Sequence, residues 1–428
     1  MYLLKKGDTG SIIELLQLAL IRSGFLSGNP DGIFGNRTED ALIRFQNAFY
    51  LTADGIAGEK TFGELERYIT GYYIKTISRG ETLWSVAALA GTSLDSLITA
   101  NPEIDPDRIF PGDKIIVPFI NPLIPTDISY SFYLVSLLIK GLMARYPFIK
   151  SRSIGKSVMG KDISSLCAGT GKKEVFINAG FHANEWLNIP VVLKFFEEYL
   201  KAVSKKRLLW GEDAAGLYES TRLHLVPLVN PDGLDLVTGA LKSGAYFDNA
   251  RSISSQYASV PFPDGWKANI NGVDLNLQYP AEWEKARKIK FAAGFTGPSP
   301  IEYVGSAPLS EPEAQAVYKY TKENDFRMIL AYHSQGSIIY WKYLDYLPPE
   351  SERIGRALSE ASGYPLEITP PDSSYAGYKD WFIGTYNRPG YTIETGIGTN
   401  PLPISQVDRI YNENRLLLLN ALREAADL

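Results

Sequence analysis

EVFINAGFHANEW, residues 174–186, begins as an apolar strand, turns at Gly180 and continues into a helix. Valine, phenylalanine and isoleucine favour the strand, and the segment that follows, Trp186 to Val203, repeats apolar residues at helical spacing. A further apolar strand stands at Leu223 to Val229. Strands that alternate with amphipathic helices predict an α/β domain whose sheet has helices on its faces.

The turn after the first strand carries two side chains that suit a metal ion. His182 ends the turn and Glu185 stands three residues later, so both can point from the strand's end to one place. Two histidines and one glutamate, with a water in the fourth position, form a known catalytic zinc set. The chain has three histidines, and the other two are His224 and His333. His224 lies inside an apolar run, which favours a hydrogen-bonded structural histidine over a ligand.

Length and composition limit the class of protein. A chain of 428 residues suits two or three domains, because single cores rarely exceed about 250–300 residues. The net charge of -5 gives no basic field for a phosphate backbone, which argues against nucleic acid as a partner. We expect no membrane span and, without a signal-peptide pattern, a cytoplasmic location. The single cysteine, Cys167, excludes an internal disulfide and is expected to be a small buried residue.

An internal repeat occupies the first 70 residues. DGIFGNRT at residues 31–38 and DGIAGEKT at residues 54–61 share the pattern DGIxGxxT. Each copy predicts a turn with glycine at positive φ and then a helix, with Thr38 or Thr61 as N-cap and Thr61 and Glu64 as a capping box. Apolar residues near helical spacing predict about three short helices. We therefore expect a small helical domain over residues 1–70.

This segment resembles the peptidoglycan-binding type 1 domain. The resemblance lies in the GDTG entry at residues 7–10, the pair Leu16-Gln17 and the two DGIxG turns. It spans nearly all of residues 1–70 and implies peptidoglycan as a partner.

Residues 73–118 have a different pattern. YYIKTI alternates as a strand, GETLWSVA at residues 80–87 turns into a helix, a second helix follows Ser93, and KIIVP at residues 114–118 closes as a strand. This β-α-α-β order, with NPEID at residues 101–105, resembles a LysM domain. The resemblance implies a groove for glycans that contain N-acetylglucosamine, lined by Glu81, Thr82, Leu83 and Ile109.

The remainder of the chain carries a series of ordered motifs. A stiff proline-rich linker is predicted at residues 119–126, and the third domain is expected to span residues 127–428. Its motifs, in chain order, are NPDG at 230–233, GVDLN at 272–276, PLSEPE at 308–313, YHS at 332–334 and YTIETG at 391–396. With the HxxE pair, they resemble the landmarks of the zinc metallocarboxypeptidase family (M14). The resemblance implies a mixed sheet flanked by helices and one zinc ion.

Four residues receive a role from this resemblance. His182, Glu185 and His333 would bind zinc, and Glu394 would be the general base. Glu394 follows the apolar strand Tyr391-Thr392-Ile393, and a sheet delivers side chains to a cleft at such strand ends. A carboxylate there can take a proton from water and pass it to the leaving nitrogen.

Two departures from the family pattern bear on the substrate. Many bacterial members place an oxyanion-stabilising arginine nine residues before the asparagine of GVDLN, and this chain has Lys267 there, with Arg251 as the reserve candidate. Lysine supplies the charge without the bidentate fork. Members that trim C-terminal residues place an arginine directly after that asparagine, whereas here Leu277 follows Asn276. Asn276 can still orient the substrate.

The mobile tyrosine of the family has two candidates in this chain. They are Tyr375 and Tyr378, and an alignment with one small gap favours Tyr375. Packing in the core is the equal interpretation for either residue.

The missing arginine favours the family branch that hydrolyses the bond between γ-D-glutamate and a diamino acid, diaminopimelate or lysine, in muropeptides. Wall-binding domains agree with this, because they raise the effective concentration of substrate. One alternative is a carboxypeptidase that removes C-terminal residues from general peptides. Another is a wall-anchoring protein with an inactive peptidase domain, although all four functional residues are present. The expected setting is recycling or remodelling of wall fragments in a bacterial cell, for instance during sporulation, or action on the wall after lysis.

Overall fold

The structure, a computed structural model, describes residues 3–428 apart from the side chain of Asp372. It divides into two compact units, one that ends at Lys150 and one that spans Ser151–Leu428. This division falls after residue 127, where the third domain was expected to begin. The domain bounds given above therefore remain predictions.

Helices and a pair of antiparallel strands build the first unit. In chain order they are α1 (Ser11–Arg22), α2 (Asn36–Ala48), α3 (Glu59–Thr70), β1 (Tyr72–Thr76), α4 (Leu83–Ala90), α5 (Leu94–Ala100), β2 (Lys114–Pro118) and α6 (Phe132–Arg145). The helices α1 to α3 match the expected small helical domain. The order β1-α4-α5-β2 matches the expected β-α-α-β domain.

Glutamine side chains hold the two repeated turns of the first unit. Gln17 Nε2 donates to Asp31 Oδ1 at 2.7 Å, and Gln17 Oε1 accepts from the Gly32 N–H at 2.9 Å. Gln46 repeats both contacts in the second copy, at 3.1 and 3.0 Å. The DGI glycines have φ of 68° and 70°, the left-handed region that glycine adopts without a steric penalty. In each copy of the repeat, a glutamine of the preceding helix therefore holds the turn against that helix.

The prediction that threonines cap these helices is wrong. The N-caps of α2 and α3 are Gly35 and Gly58, and the expected capping box does not form. Thr38 and Thr61 lie inside the helices, where their hydroxyls accept hydrogen bonds from the two glutamine amides at 3.0 and 3.3 Å. A buried amide donor that lacks an acceptor costs about 1–3 kcal/mol. The threonine hydroxyls therefore accept from the glutamine amides and are not available to cap the helices.

The second unit is built around an eight-stranded sheet. In chain order its elements are β3 (Lys150–Lys156), β4 (Asp162–Ala168), β5 (Lys173–Asn178), α7 (Asn188–Ser204), β6 (Leu208–Leu209), β7 (Glu212–Asp213), α8 (Ala214–Ser220), β8 (Thr221–Val226), α9 (Pro231–Val237), α10 (Ala245–Ser254), α11 (Trp283–Ala292), α12 (Pro312–Glu323), β9 (Phe326–His333), β10 (Ile338–Tyr340), α13 (Ser351–Ser362), β11 (Leu366–Glu367), α14 (Tyr378–Tyr386), β12 (Gly390–Glu394) and α15 (Val407–Ala426). Short 3-10 turns occupy Leu275–Leu277, Pro371–Ser373 and Ile404–Gln406.

The strand order of the sheet is β11-β10-β12-β9-β5-β8-β4-β3. The central strands β12, β9, β5 and β8 are parallel, while β10 and β4 run antiparallel to their central neighbours. Helix α15 packs on β5 and β8, and α14 packs on β9 and β12. Central parallel strands are covered on both faces, which explains their continuous apolar sequences. The expected mixed sheet with flanking helices is confirmed.

No single helix within residues 3–428 is long and apolar enough to span a membrane. The helices α4 and α5 together meet that test by length and composition only, and they bend by 112° at the break between them.

Candidate active site

Three adjacent parallel strands end at one edge of the sheet and deliver the candidate residues. His182 and Glu185 follow β5, His333 is the last residue of β9, and Glu394 is the last residue of β12. Across β12 and β9, Glu394 pairs in register with His333. Because the carboxyl ends of parallel strands open into a common crevice, the sheet alone brings these distant segments together.

Two histidines and a glutamate meet at this edge in a buried cluster. The ligand atoms of His182, Glu185 and His333 all lie within 4.8 Å of one another. His182 Nδ1 is 2.9 Å from Glu185 Oε1, and His333 Nδ1 is 3.0 Å from Glu185 Oε2. The two Nδ1 atoms are 3.1 Å apart. The donors therefore converge on a single point, as metal ligands do.

Asp274 fixes the orientation of His182. Its Oδ1 lies 2.9 Å from His182 Nε2, and both side chains are about 5 % exposed or less. The charges of His182 and Lys267 outweigh the effect of burial and hold the pKa of Asp274 far below its usual range. An ionised carboxylate only accepts hydrogen bonds, so His182 keeps its hydrogen on Nε2, and Nδ1 is the atom that would give up its proton to bind a metal.

Glu185 is held from two further directions. The Ser334 N–H donates to Glu185 Oε2 at 3.2 Å, and Lys267 Nζ lies 3.4 Å from Glu185 Oε1. Burial opposes ionisation, but the positive charges of His182 and Lys267 hold the pKa of Glu185 well below its usual range. A charged carboxylate and two imidazole nitrogens are the donor set that zinc takes in catalytic sites. The residues present therefore fit a zinc ion.

The cluster opens into a cavity of about 400 Å³. Among the residues that line it are six that the sequence singled out, namely His182, His333, Lys267, Asn276, Tyr375 and Glu394. Leu277, the residue at the position of the absent arginine, lines it as well. Burial and the charge of Glu185 raise the pKa of Glu394 to about 8, against the opposing charges of Lys267 and His182. A carboxyl with a pKa near neutrality suits proton transfer.

Other candidates lie elsewhere in the structure. Arg251 is on α10, where its exposed side chain pairs with Asp248 at 2.8 Å, and it does not line the cavity. Tyr378 is buried in the core, with its hydroxyl 2.9 Å from Thr321 Oγ1. Asn276 and Tyr378 are nevertheless linked, because Asn276 Oδ1 accepts from the Tyr378 N–H at 3.0 Å.

His224 and Cys167 form a separate pair in the sheet. His224 Nδ1 is 2.6 Å from the Tyr320 hydroxyl, and His224 Nε2 is 3.8 Å from Cys167 Sγ. Burial, with the charges of Arg222 and Arg152, lowers the pKa of His224 to about 4, so the ring is neutral near pH 7. Cys167 is partly exposed rather than fully buried as expected, since it lies on β4, next to the edge strand β3.

The four residues expected to line a glycan groove occupy different environments in the first unit. Thr82 caps α4 by accepting from the Ser85 N–H at 3.0 Å, and Glu81 pairs with Lys75 at 3.0 Å. Leu83 is 2 % exposed and packs in the core, so its side chain supports the loop from within. Ile109 is partly buried against the same core.

Sequence reasoning missed several residues of the site. Asp274 stands inside the GVDLN motif, and a carboxylate two residues before the orienting asparagine was the signal that could have identified it. Ser334 directly follows His333 and acts through its backbone, which no side-chain pattern reveals. Lys290 and Glu302 line the cavity as an ion pair, and nothing in their local sequence marks them.

Family models match the three segments in the expected order. The zinc carboxypeptidase model matches residues 136–417, the putative peptidoglycan binding domain model matches residues 9–65, and the LysM model matches residues 76–118. The two N-terminal domains imply that the chain binds peptidoglycan.

Individual relatives agree with these matches. Gamma-D-glutamyl-L-diamino acid endopeptidase 1 of Lysinibacillus sphaericus is 43% identical over 285 residues, which cover 67% of this chain and 70% of that protein. The uncharacterized protein YqgT of Bacillus subtilis is 43% identical over 289 residues, which cover 66% of this chain and 74% of that protein. Bovine thrombin-activatable fibrinolysis inhibitor, solved in complex with tick carboxypeptidase inhibitor, superposes with a TM-score of 0.54 at 18% identity and covers 71% of this chain and 99% of its own. This last likeness shows the fold alone.

The family model covers well over half of the chain, and the buried His-Glu-His cluster, which could hold a metal ion, lies within the matched residues. The chain therefore belongs to the zinc carboxypeptidase family of metallopeptidases.

Proposed function

We propose that this metallopeptidase hydrolyses the bond between γ-D-glutamate and a diamino acid in the stem peptides of bacterial peptidoglycan. The proposal assigns zinc binding to His182, Glu185 and His333. Its main support is that the ligand cluster opens into a cavity lined by His182, His333 and Glu394, with Leu277 in its wall in place of a carboxylate-binding arginine. The similarity to an endopeptidase of that specificity agrees with this assignment.

The chemistry divides between the metal and the side chains around it. Zinc, when bound, supplies a Lewis acid that polarises the scissile carbonyl and makes water more acidic. Glu394 accepts the proton of the attacking water and returns it to the leaving nitrogen. Lys267 Nζ, 3.4 Å from Glu185, places a positive charge beside the reacting carbonyl, where negative charge develops.

Asn276 and Tyr375 complete the proposed site by orienting the substrate. Asn276 is held by hydrogen bonds at both ends, since its N–H donates to Asp274 Oδ1 at 3.0 Å and its Oδ1 accepts from the backbone of Tyr378. Tyr375 is half-buried on the cavity wall, and its ring receives the Lys285 ammonium at 5.5 Å. Hydrogen bonds therefore fix Asn276, whereas ring contacts with Lys285 and an apolar cluster position Tyr375.

The two N-terminal domains have a supporting role in this proposal. We assign glycan chains with N-acetylglucosamine to the LysM domain, through the loops that carry Glu81, Thr82 and Ile109. Binding to the wall raises the local concentration of stem peptides without adding contacts at the reacting bond.

The test is the mass of the products from a defined tetrapeptide, L-alanyl-γ-D-glutamyl-diaminopimelyl-D-alanine, incubated with the zinc-loaded protein. We expect L-alanyl-D-glutamate from the wild type and none from Glu394→Gln. The matched control is Glu367→Gln, which changes an exposed glutamate of the same sheet and should leave activity intact. Loss of only the C-terminal D-alanine would instead identify a carboxypeptidase, and no cleavage at all would favour the wall-binding alternative.

A further inference from the structure

The segment that follows Glu394, residues 395–400, has no role in the chemistry described above. It leaves the end of β12 and contacts the residues at and after the end of β9. The Thr395 N–H donates to the His333 carbonyl at 2.8 Å, which continues the register that pairs Glu394 with His333. The segment therefore lies beside the metal-binding cluster.

Asn400 ends this segment and binds Ser334 through both ends of its side-chain amide. Its Nδ2 donates to the Ser334 carbonyl at 2.7 Å, and its Oδ1 accepts from the Ser334 hydroxyl at 3.0 Å. Both residues line the cavity, and Ser334 is 5% exposed. An amide offers a donor and an acceptor in one plane, so the two hydrogen bonds together fix the position and the orientation of Ser334.

The backbone of Ser334 in turn holds the carboxylate of Glu185. The Ser334 N–H donates to Glu185 Oε2 at 3.2 Å, and the same oxygen lies 3.0 Å from His333 Nδ1. A length of 3.2 Å is at the long end of the normal range for this kind of hydrogen bond, so a small shift of the Ser334 backbone would break it. The orientation of the Glu185 carboxylate therefore depends on Asn400.

A second chain of contacts joins the same segment to the backbone of Glu185. Thr395 Oγ1 donates to Asn188 Oδ1 at 2.7 Å, and Asn188 Nδ2 donates to the Glu185 carbonyl at 3.3 Å. Thr395 and Asn188 are both fully buried, so solvent does not compete for these groups. The carboxylate and the backbone of Glu185 are thus each linked to the segment through one intermediate residue.

The segment is itself held firmly by the residues that follow it. Ile397 is bound at both backbone groups, because its N–H donates to Gln406 Oε1 at 3.3 Å and its carbonyl accepts from Gln406 Nε2 at 2.8 Å. Gly396 has a φ of 69°, and a Cβ at this position would lie 2.5 Å from Leu402 Cδ1. Glycine permits both the turn and the close packing, which fix the segment in place.

We infer that this segment positions Glu185 for zinc. Asn400 acts on the carboxylate through Ser334. Thr395 acts on the backbone through Asn188. The inference rests on the assignment of Glu185 as a zinc ligand in the proposed function. Groups beyond the ligands orient them for the metal, and the loss of such a group typically lowers metal affinity by about 10- to 100-fold.

Zinc affinity is the readout that isolates this role. Because Glu394 directly precedes Thr395, a displaced segment would move the general base as well as the ligand, and activity would respond to both changes. The zinc dissociation constant responds to the ligands and does not depend on the base. It is measured on the full chain by competition with a chromogenic chelator at a fixed pH near 7.

Two variants test the two chains of contacts. Asn400→Ala should raise the zinc dissociation constant by about 3- to 10-fold, less than the loss of a direct partner would cause, because the Ser334 N–H remains present. Thr395→Val keeps the shape of the side chain, removes only the hydroxyl and should raise the constant by a similar factor. The matched control is Thr399→Ala, which changes an exposed residue of the same segment and should leave the constant unchanged.

The visible absorption spectrum of the cobalt-substituted protein distinguishes positioning from a purely structural role. Cobalt(II) bands depend on the geometry of the ligands, so a displaced Glu185 should change them in Asn400→Ala and not in Thr399→Ala. A lower melting temperature of the metal-free Asn400→Ala protein, with an unchanged zinc affinity and cobalt spectrum, would mean that the contacts serve stability alone and would overturn the inference.

The outcomes separate this inference from the proposed function. Unchanged zinc affinity in both variants would overturn the inference, whereas wild-type cleavage of the γ-glutamyl bond would still support the proposed function. Absence of that cleavage would overturn the proposed function, and the zinc and cobalt measurements would still decide the inference. If one of the two variants does not fold, the other decides, because both contacts act on Glu185.

Discussion

Replacement of Asp274 by asparagine should weaken zinc binding about tenfold without unfolding the protein. The carboxylate is 3 % exposed and lies 2.9 Å from His182 Nε2, so it sets which ring nitrogen of His182 faces the metal. Asparagine has the same shape and retains an oxygen. The hydrogen bond that Asp274 Oδ1 accepts from the Asn276 N–H at 3.0 Å is therefore preserved, and the local turn should survive.

The size of the effect follows from the loss of charge on one partner. A hydrogen bond to a charged group contributes about 1.5–3 kcal/mol, and a neutral one contributes about 0.5–1.5 kcal/mol. The difference of about 1–2 kcal/mol corresponds to about 5- to 30-fold in a dissociation constant. This agrees with the losses of about 10- to 100-fold that follow from changing a partner of a metal-bound histidine.

The assay is competition for zinc against a chromogenic chelator at a fixed pH near 7. Asp248→Asn is the matched control, because the Asp248 carboxylate is 60% exposed and pairs with Arg251 at 2.8 Å, apart from the cavity. Zinc affinity in Asp274→Asn within about twofold of the wild type would refute the idea that this carboxylate orients His182. A collapse of the fold would show that its role is structural, and circular dichroism distinguishes that result from a specific loss of metal.

Three further predictions concern other residues of the second unit. Tyr375→Phe should lower kcat/KM about tenfold with an unchanged melting temperature. Tyr378→Phe should keep its activity but lose about 1 kcal/mol of stability, because its buried hydroxyl bonds to Thr321. Enzyme kinetics and urea unfolding measure the two effects, and the reverse pattern would identify Tyr378 as the substrate residue. Burial raises the pKa of Glu313 to about 7, so the folded state holds a proton that the unfolded state has lost between pH 4.5 and pH 7. The stability that this group contributes is therefore lost as pH rises. Between pH 5 and pH 8, the free energy of unfolding of the wild type should fall by about 2–3 kcal/mol relative to Glu313→Gln, as measured by urea unfolding. Equal pH dependence of the two proteins would contradict this prediction. Leu277→Arg should create a preference for stem tripeptides, which have a free carboxylate directly after the cut, over tetrapeptides; equal kcat/KM for both would show that position 277 does not face that group.

The sequence predicted the general architecture because its signals are local. Each central strand is a short apolar run, and His182, His333 and Glu394 stand at or just after the end of one. A parallel sheet gathers its carboxyl ends at one edge, so residues more than 200 positions apart can be assigned to one site without knowing any loop.

Tertiary contacts decided what the sequence could not. Thr38 and Thr61 have the identity of N-caps, but a glutamine from a preceding helix binds each hydroxyl. Lys290 has the spacing of a surface lysine on a polar helix, and only the fold of the following loop places Glu302 against it in the cavity. Local propensity predicts such residues only when no distant partner competes for the same group.

This contrast explains how one fold can serve different substrates. The proposed zinc ligands and Glu394 stand on or just after strands β5, β9 and β12, and a fold of this kind occurs in a protein that is only 18% identical. The part of the cavity wall that contains Leu277 comes instead from the 3-10 turn at Leu275–Leu277, from α11 and from the loop after it. Apart from Leu275, which is buried in one core cluster with residues of β5 and β9, these segments lie outside the ligand strands and can change more freely than the sheet. Hydrolysis is thus fixed by the core of the fold, and the choice of peptide is set by its connections.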